Sequence, residues 1–198
     1  MMSKDARVIT PADIMPMSQY AKIRVEHRRK LVAVKRQRRM HIGPHATLTF
    51  ENYDTMWAQV QEMLFIEKGG DEQIEGELSA YNPLIPKGNE LVATMMIEIE
   101  DEGVRRRTLA GLGYIETMVS FTFAGQTVTG VPEDDTERTT PEGKTSSVHF
   151  LHFTFTPQQI AAFRTKGTQV TLGITHPKYG HLAILPEESR ASLAADFN

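Results

Sequence analysis

The amino-acid sequence predicts an α+β fold in which N-terminal helices pack on a mainly antiparallel sheet of about five or six strands. Helical periodicity dominates the chain up to about residue 82, whereas apolar residues alternate with period two from about residue 90 onward. With 198 residues and 40% apolar content, the chain is long enough to bury one core. We therefore predict a single domain over residues 1–198, with a helical part at about 10–82 and a mixed strand and helix part at about 90–197.

A helix at about residues 50–70 has the longest helical pattern and holds the only tryptophan, Trp57. Its apolar residues fall within a wedge of roughly 120°, the width of a stripe that faces a core. Glu67 lies inside the same wedge, and Gly69 and Gly70 end the helix. We predict that this central helix anchors the helical part of the fold. Its stripe consists of Tyr53, Met56, Trp57, Val60, Met63 and Leu64.

Two further helices flank the central one in sequence. The first runs from about residue 18 to residue 38, and basic residues cover most of its surface outside one apolar stripe. The second begins at Asp71 and stops at Asn82, which precedes a proline. The stripe of the first helix consists of Tyr20, Ile23, His27, Leu31 and Val34.

The second half of the chain is predicted to be strands interrupted by single helices. The clearest helix start is the capping box of Thr156 and Gln159. Residues 132–144 contain no apolar side chain apart from proline and are predicted to form a mobile surface loop. Strands are predicted at about 46–50, 91–100, 118–123, 127–131, 148–155, 170–174 and 182–185, and helices at about 102–112, 157–166 and 186–197.

Charge is distributed unevenly along a chain whose formal net charge is −3. Residues 20–39 carry nine Lys or Arg residues and one acid, whereas residues 51–102 carry thirteen acids and two lysines. These opposite charges favour docking of the basic helix on the acidic segment of the same chain. An acidic protein partner and nucleic acid are the alternatives. The negative net charge and the absence of a glycine-bounded helix-turn-helix argue against nucleic acid.

The chain has no cysteine, which excludes disulfides, thiolate metal sites and cysteine-ligated iron–sulfur clusters. This composition suits a reducing compartment. The N-terminal residues contain no apolar run of signal-peptide length, and no apolar stretch of about 18 residues occurs. We therefore predict a cytoplasmic location and no contact with a membrane.

Four segments carry a family resemblance: YAKIRVEHRRKLVAVKRQRR, GPHATLTFENYDTMWAQVQEMLFIEK, NPLIPKGNELVATMMIEIED and ITHPKYGHLAIL. Together they resemble a bacterial family catalogued only as domain of unknown function 3501, from about Thr10 to Phe197. The central helix and the segments IPKGNEL and ATMMIE are the most specific part. The resemblance implies a stand-alone bacterial protein without an assigned activity. It also implies an association with redox proteins, because family members are encoded beside rubrerythrin-like and iron–sulfur proteins.

Histidines and carboxylates are the metal ligands that remain when cysteine is absent. His176 and His181 flank the HPKYG turn and could meet across a hairpin. We predict a divalent-metal site from these two residues with Glu98 and Glu100, and a purely structural turn is the alternative. His149 and His152 have the i, i+3 spacing of a helical site, but their surroundings predict a strand, where such side chains point to opposite faces.

Polar residues on apolar faces define a second candidate site. His27 and Glu67 lie within helical stripes, and a buried imidazole or carboxylate needs a partner or a shifted pKa. We predict a polar pocket that contains His27, Glu67, His149 and Tyr179. A structural network of ion pairs and hydrogen bonds is the alternative.

The motifs of nucleotide-binding proteins and serine hydrolases are absent. The sequence therefore favours an accessory or binding protein, predicted to form a homo-oligomer and to work alongside redox or oxidative-stress proteins such as rubrerythrin-like proteins. The alternative is a metal-binding protein or a metal-dependent enzyme that uses the His and Glu ligands. The two hypotheses differ in whether histidines and carboxylates converge on one point.

Overall fold

The structure, a computed structural model, describes residues 3–133, 138–140 and 143–198. The chain divides into two compact units. We call Met1–Gln37 with Glu51–Lys87 the helical unit, and Arg38–Phe50 with Gly88–Asn198 the sheet unit. Helices at the N terminus and antiparallel sheets confirm the predicted α+β class. The assignment of the whole chain to a single domain stays a prediction.

The helical unit contains three long helices. The sequence predicts all three with bounds close to those observed, because each has clear start or stop signals. Asn52 caps the second helix by accepting a hydrogen bond from the Thr55 backbone N–H at 3.0 Å. None of the described helices is long and apolar enough to cross a membrane. The helices are α1 at Met17–Arg38, whose last residue belongs to the sheet unit, α2 at Tyr53–Glu67 and α3 at Asp71–Tyr81.

The predicted stripe of α2 is buried in part. Met56, Val60 and Leu64 are buried, whereas Glu67 is exposed in the last turn of the helix. Gln61, which lies outside the predicted stripe, is fully buried, and neither polar atom of its amide has a hydrogen-bond partner among the described residues. The buried surface of α2 is therefore wider than its apolar stripe on the side of Gln61.

The sheet unit contains nine strands among the described residues, in two antiparallel sheets instead of a single sheet of five or six. Their orders are β1-β2-β3-β7-β6 and β5-β4-β8-β9. The chain changes sheets at Gly130, where a Cβ atom would lie 2.8 Å from the Phe153 ring, so only glycine permits this close approach. The strands are β1 Arg39–Ile42, β2 Ala46–Phe50, β3 Glu90–Ile97, β4 Val119–Phe123, β5 Gln126–Thr129, β6 Val131–Pro132, β7 Val148–Thr154, β8 Val170–His176 and β9 Tyr179–Ile184.

Phenylalanines form the centre of the core of the sheet unit. Phe121 is fully buried, and its ring centroid lies 5.0 Å from that of Phe153 and 5.9 Å from that of Phe163. The predicted capping box is confirmed: Thr156 Oγ1 accepts from the Gln159 N–H at 3.2 Å, and Gln159 Oε1 accepts from the Thr156 N–H at 2.8 Å. The helices of this unit are α4 at Glu102–Leu109, α5 at Pro157–Arg164 and α6 at Glu187–Ala194.

The loop predicted at residues 132–144 lies partly outside the described residues, at 134–137 and 141–142. Of its described residues, Thr139 is buried and forms an isolated antiparallel bridge with Thr145. This part of the segment therefore contributes polar side chains to the interior of the sheet unit.

Candidate functional site

Helix α1 carries a basic face that is exposed along its whole length. We define this basic face as the residues that repeat at intervals of three and four: Lys22, Val25, Arg29, Val32 and Arg36. All five are exposed, and the two valines are 81% and 68% exposed. A three-four repeat places side chains on one line of a helix and is typical of helices that pack against another helix. The basic face therefore presents apolar and cationic residues in alternation to solvent.

The apolar stripe predicted for α1 lies on a different line and is only partly covered. Tyr20 is buried and His27 and Leu31 are half-buried, but Ile23 and Val34 are 40% and 39% exposed. The prediction that this stripe is a buried face is therefore wrong for Ile23 and Val34. The physical reason is that Arg24, which lies beside this stripe, packs on the ring of Phe65, so apolar spacing alone does not locate the covered face.

An ion pair joins the basic helix to the acidic segment within the helical unit. Arg24 donates to both carboxylate oxygens of Glu62, at 2.9 and 2.8 Å, and the Tyr20 hydroxyl donates to Glu62 at 2.7 Å. The Arg24 hydrogen bond holds the pKa of Glu62 below its usual value, and burial raises the pKa of Tyr20. The guanidinium also lies 4.8 Å from the ring centroid of Phe65. This side of α1 is held to α2, which leaves the basic face on the outside.

His27 and Glu67, two members of the predicted polar pocket, take part in separate contacts. The His27 ring packs edge-on against Trp57 at 5.2 Å, and its buried Nδ1 has no hydrogen-bond partner among the described residues. Glu67 is exposed and accepts a hydrogen bond from the Gln73 amide at 2.7 Å. The helical unit therefore provides a half-buried imidazole and a surface carboxylate, each in its own setting.

Tyr179, the third member, holds the turn between β1 and β2. Its hydroxyl donates to the Ile42 carbonyl and accepts from the backbone N–H groups of His45 and Ala46, each at 2.8 Å. Both lone pairs and the proton of the hydroxyl are thereby used. The His181 ring packs against Tyr179 with centroids 4.6 Å apart. Tyr179 thus has a structural role.

The residues predicted as metal ligands lie in the sheet unit. His176 is buried and its Nδ1 accepts from the Lys178 N–H at 3.2 Å, which closes the β8–β9 turn. Glu98 accepts from Thr47 and from Arg39, both at 2.7 Å, and the Thr47 hydrogen bond lowers the pKa of Glu98. Glu100 follows the end of β3. Across the described ranges, no three histidine or carboxylate residues are grouped to hold a metal ion. The metal site stays a prediction.

His149, the fourth member of the predicted pocket, lies in a buried polar cluster. Its Nε2 lies 3.0 Å from the Ser146 carbonyl, which places the ring proton on Nε2. Its Nδ1 lies 3.7 Å from Glu116, which also receives Thr139 and Thr145 hydroxyls at 3.4 and 3.5 Å. Burial lowers the pKa of His149. These buried side chains form a network of polar contacts around His149. The predicted polar pocket stays a prediction.

His152 points to the other side of β7, as the strand spacing predicts, and lies between two carboxylates. Its Nδ1 is 3.0 Å from Glu90 and its Nε2 is 3.3 Å from Glu133. The hydrogen bond to Glu90 is the main cause of a raised pKa at His152. Both ring nitrogens donate in this arrangement, so the imidazolium links the two carboxylates and has no free lone pair for a metal.

The His152 ion pairs predict a pH-dependent stability. A histidine whose pKa is raised by folding stabilises the native state below its unfolded pKa of about 6.5 and loses this effect as pH rises through the folded pKa. We expect His152→Gln to lower the free energy of unfolding most at about pH 5.5 and progressively less toward pH 9. Urea titrations of the wild-type protein and the variant across this range measure the difference in free energy of unfolding. The opposite pH effect of His149 is present in both proteins and cancels in this difference. A difference that is constant with pH would refute the assignment.

A cavity of about 600 Å³ lies within the helical unit. It is lined by residues of the segment 11–17, by the C-terminal end of α2 and by the N-terminal end of α3. Sequence reasoning did not find this cavity, although the Met-Pro-Met segment at residues 15–17 is an apolar stretch without helical or strand periodicity. Its walls consist of Pro11, Ile14, Met15, Pro16, Met17, Leu64, Phe65, Lys68, Gly70, Asp71 and Ile74.

Comparison with known proteins places the chain in a family. No curated protein matches the sequence. A solved structure, described as a novel protein of unknown function from Burkholderia pseudomallei K96243, is 36% identical, with a TM-score of 0.89 over 96% of this chain and 100% of that chain. The model of the family described as "Protein of unknown function (DUF3501)" matches residues 8–197. The chain therefore belongs to the DUF3501 family, as the resemblance predicted.

Proposed function

We propose that the protein is an accessory binding protein that docks an acidic protein partner on the basic face of α1. The observation that carries the proposal is the exposure of Val25 and Val32, at 81% and 68%, between cationic side chains of the same face. Burying a valine side chain contributes about 1.5–3 kcal/mol. Two valines at seven-residue spacing thus supply an apolar centre for an interface.

The charge of α1 selects the chemistry of the partner. Lys22 and Arg36 have no ion-pair partner among the described residues, and Arg29 is paired only with the exposed Glu26 of the preceding turn. Cations around an apolar centre steer carboxylate-rich surfaces to it and raise the association rate. The partner that fits is a protein surface with acidic residues around apolar ones, such as an amphipathic acidic helix.

Nucleic acid is the weaker alternative for the same face. Phosphate contacts use clustered Lys and Arg and gain nothing from valines between them. The formal net charge of −3 also opposes the approach of a polyanion. An acidic protein makes use of both the valines and the cations.

The family resemblance suggests which acidic protein to try first. It implies rubrerythrin-like and iron–sulfur redox proteins as neighbours, and a cysteine-free chain suits the reducing cytoplasm in which such proteins work. We infer that a rubrerythrin-like protein of the same organism is the first partner to test. Self-association belongs to the same proposal and is measured by the mass of the protein in solution.

The test is the affinity of the purified rubrerythrin-like protein for this chain and two matched variants. We expect Arg29→Glu with Arg36→Glu to weaken binding about tenfold or more, because two attractive charges become repulsive. The control, Arg106→Glu with Arg107→Glu, reverses two exposed arginines of α4 and should leave the affinity within about twofold. Isothermal titration at two salt concentrations gives both values.

Three results would count against the proposal. They are an absence of binding, equal weakening by both double variants, and binding that is insensitive to salt. Binding of a DNA duplex that the α1 variant abolishes, without binding of the acidic protein, would assign the basic face to nucleic acid instead.

A further inference from the structure

The cavity of the helical unit has the size of a small-molecule site. Its volume of about 600 Å³ lies within the range of ligand pockets, about 300–1,000 Å³. Most of its wall is apolar, formed by two methionines, two prolines, one phenylalanine, one leucine and two isoleucines. Water finds few hydrogen-bond partners in such a space, whereas an apolar molecule supplies dispersion contacts that the walls otherwise lack. The body of a ligand for this cavity is therefore apolar.

The two methionines allow the wall to adapt to the shape of a ligand. Met15 and Met17 lie on either side of Pro16, in the segment that leads into α1. An unbranched thioether side chain changes rotamer at low cost and suits apolar ligands of variable shape. Leu64 and Phe65, which also line the cavity, belong to the regular helix α2 and supply a fixed surface.

Two opposite charges line the same cavity without pairing to each other. Lys68 and Asp71 stand three residues apart, and neither has an ion-pair partner among the residues that the structure describes. Lys68 adopts a left-handed backbone conformation with φ of 57°, although Gly69 and Gly70 follow it directly. Such a conformation costs a lysine more than a glycine. The cavity thus offers one cation and one anion beside an apolar space.

We propose that this cavity binds an amphiphile with an apolar body and a zwitterionic head. The anionic group of the head pairs with Lys68, its cationic group pairs with Asp71, and the apolar body lies against the methionines and Phe65. A purely anionic or cationic head would meet one like charge. Two sources share this chemistry, a single-chain zwitterionic lipid and a short apolar peptide with free termini. The site is independent of the basic face of α1.

Trp57 provides the readout. Its indole N–H donates to the Asp13 carbonyl at 2.8 Å, and Asp13 directly precedes Ile14 in the wall of the cavity. As the only tryptophan, it reports a change in this segment without background from others. Fluorescence titration of the full chain with dodecylphosphocholine, below its micelle concentration, should therefore saturate at one equivalent, and calorimetry checks the stoichiometry.

Probes of matched chain length test the head group. We expect dodecylphosphocholine to bind at least about tenfold more tightly than dodecyltrimethylammonium or dodecyl maltoside, which lack one or both charges. The dipeptide Leu-Phe tests the second source: saturable binding of the dipeptide alone identifies peptide termini, and binding of the phosphocholine alone identifies a lipid. An absence of saturable binding by both, or equal affinity for all three dodecyl probes, overturns the proposal.

Charge reversal separates a specific head-group site from an apolar cleft. Lys68→Glu should weaken binding of the zwitterionic probe about tenfold, and Lys68→Glu combined with Asp71→Lys should restore it, because the head can bind in the opposite orientation. Lys166→Glu, which changes an exposed lysine of the sheet unit, is the matched control and should not change the affinity. Circular dichroism confirms that each variant is folded. A double variant as weak as the single one would overturn the role of the charges.

Discussion

Replacing Arg38 by methionine is expected to lower the free energy of unfolding by about 3–5 kcal/mol. The guanidinium is 2% exposed, donates to the Phe50 carbonyl at 2.8 Å and to the Ser192 carbonyl at 3.4 Å, and pairs with Asp196. Methionine keeps an unbranched apolar side chain but supplies none of these donors, so the largely buried Asp196 carboxylate loses a partner. Chemical denaturation followed by circular dichroism measures the change.

Arg39 is the matched control for this substitution, because it is the next residue and also pairs with a carboxylate. Its ion pair with Glu98 is 2.7 Å long, but its side chain is 42% exposed. We expect Arg39→Met to cost about 1 kcal/mol or less, since exposed pairs contribute little. A combined Arg38→Met and Asp196→Asn variant should lose less than the sum of the two single changes. Equal effects at the two arginines would contradict the role of burial.

Replacing Tyr179 by phenylalanine is expected to cost about 2–4 kcal/mol, although only one oxygen atom is removed. That oxygen satisfies one carbonyl and two N–H groups in the turn between β1 and β2. Backbone polar groups that lose a hydrogen-bond partner inside a protein bear a cost of desolvation. The change should also speed amide hydrogen exchange at His45 and Ala46, which a ligand-binding role for Tyr179 would not predict.

Tyr114 is the control, because its side chain is 59% exposed and no hydrogen bond of its hydroxyl is present among the described residues. We expect Tyr114→Phe to change stability by no more than about 0.5 kcal/mol. A loss at Tyr179 no larger than that at Tyr114 would show that the three hydrogen bonds contribute little. Native stability with lost protection confined to the β1–β2 turn would show that the hydroxyl orders the turn alone.

Helices and long strands of this chain are predictable from the sequence because their signals are local. The capping box at Thr156, the prolines and the alternation of β7 each determine structure within a few residues. The division into two sheets is not predictable in this way. It involves contacts between positions apart in sequence, such as the close approach of Gly130 to Phe153 where the chain changes sheets.

The candidate sites are less predictable than the fold, and individual residues show why. The sequence predicts that His176 and His181 meet across a hairpin, but in the strand register His176 lies opposite Tyr179 and His181 lies opposite Ile174. The hydrogen bonds that fix the roles of His176 and Tyr179 join them to backbone atoms. His149 is fully buried, and its polar cluster includes Thr139 from a segment whose composition predicts exposure. The basic face of α1 is readable as a three-four repeat, yet spacing alone does not distinguish a covered line from an exposed one.

The course of the chain between β2 and β3 has a consequence for how the protein folds. These strands are neighbours in the sheet, with Phe50 opposite Ala93, although residues 51–87 intervene and belong to the helical unit. Pairing the two strands closes a long loop. A long flexible loop loses more entropy on closure than a short flexible loop. Formation of α2 and α3 inside the loop shortens its effective contour. We therefore expect helix formation in this excursion to accelerate pairing of β2 with β3.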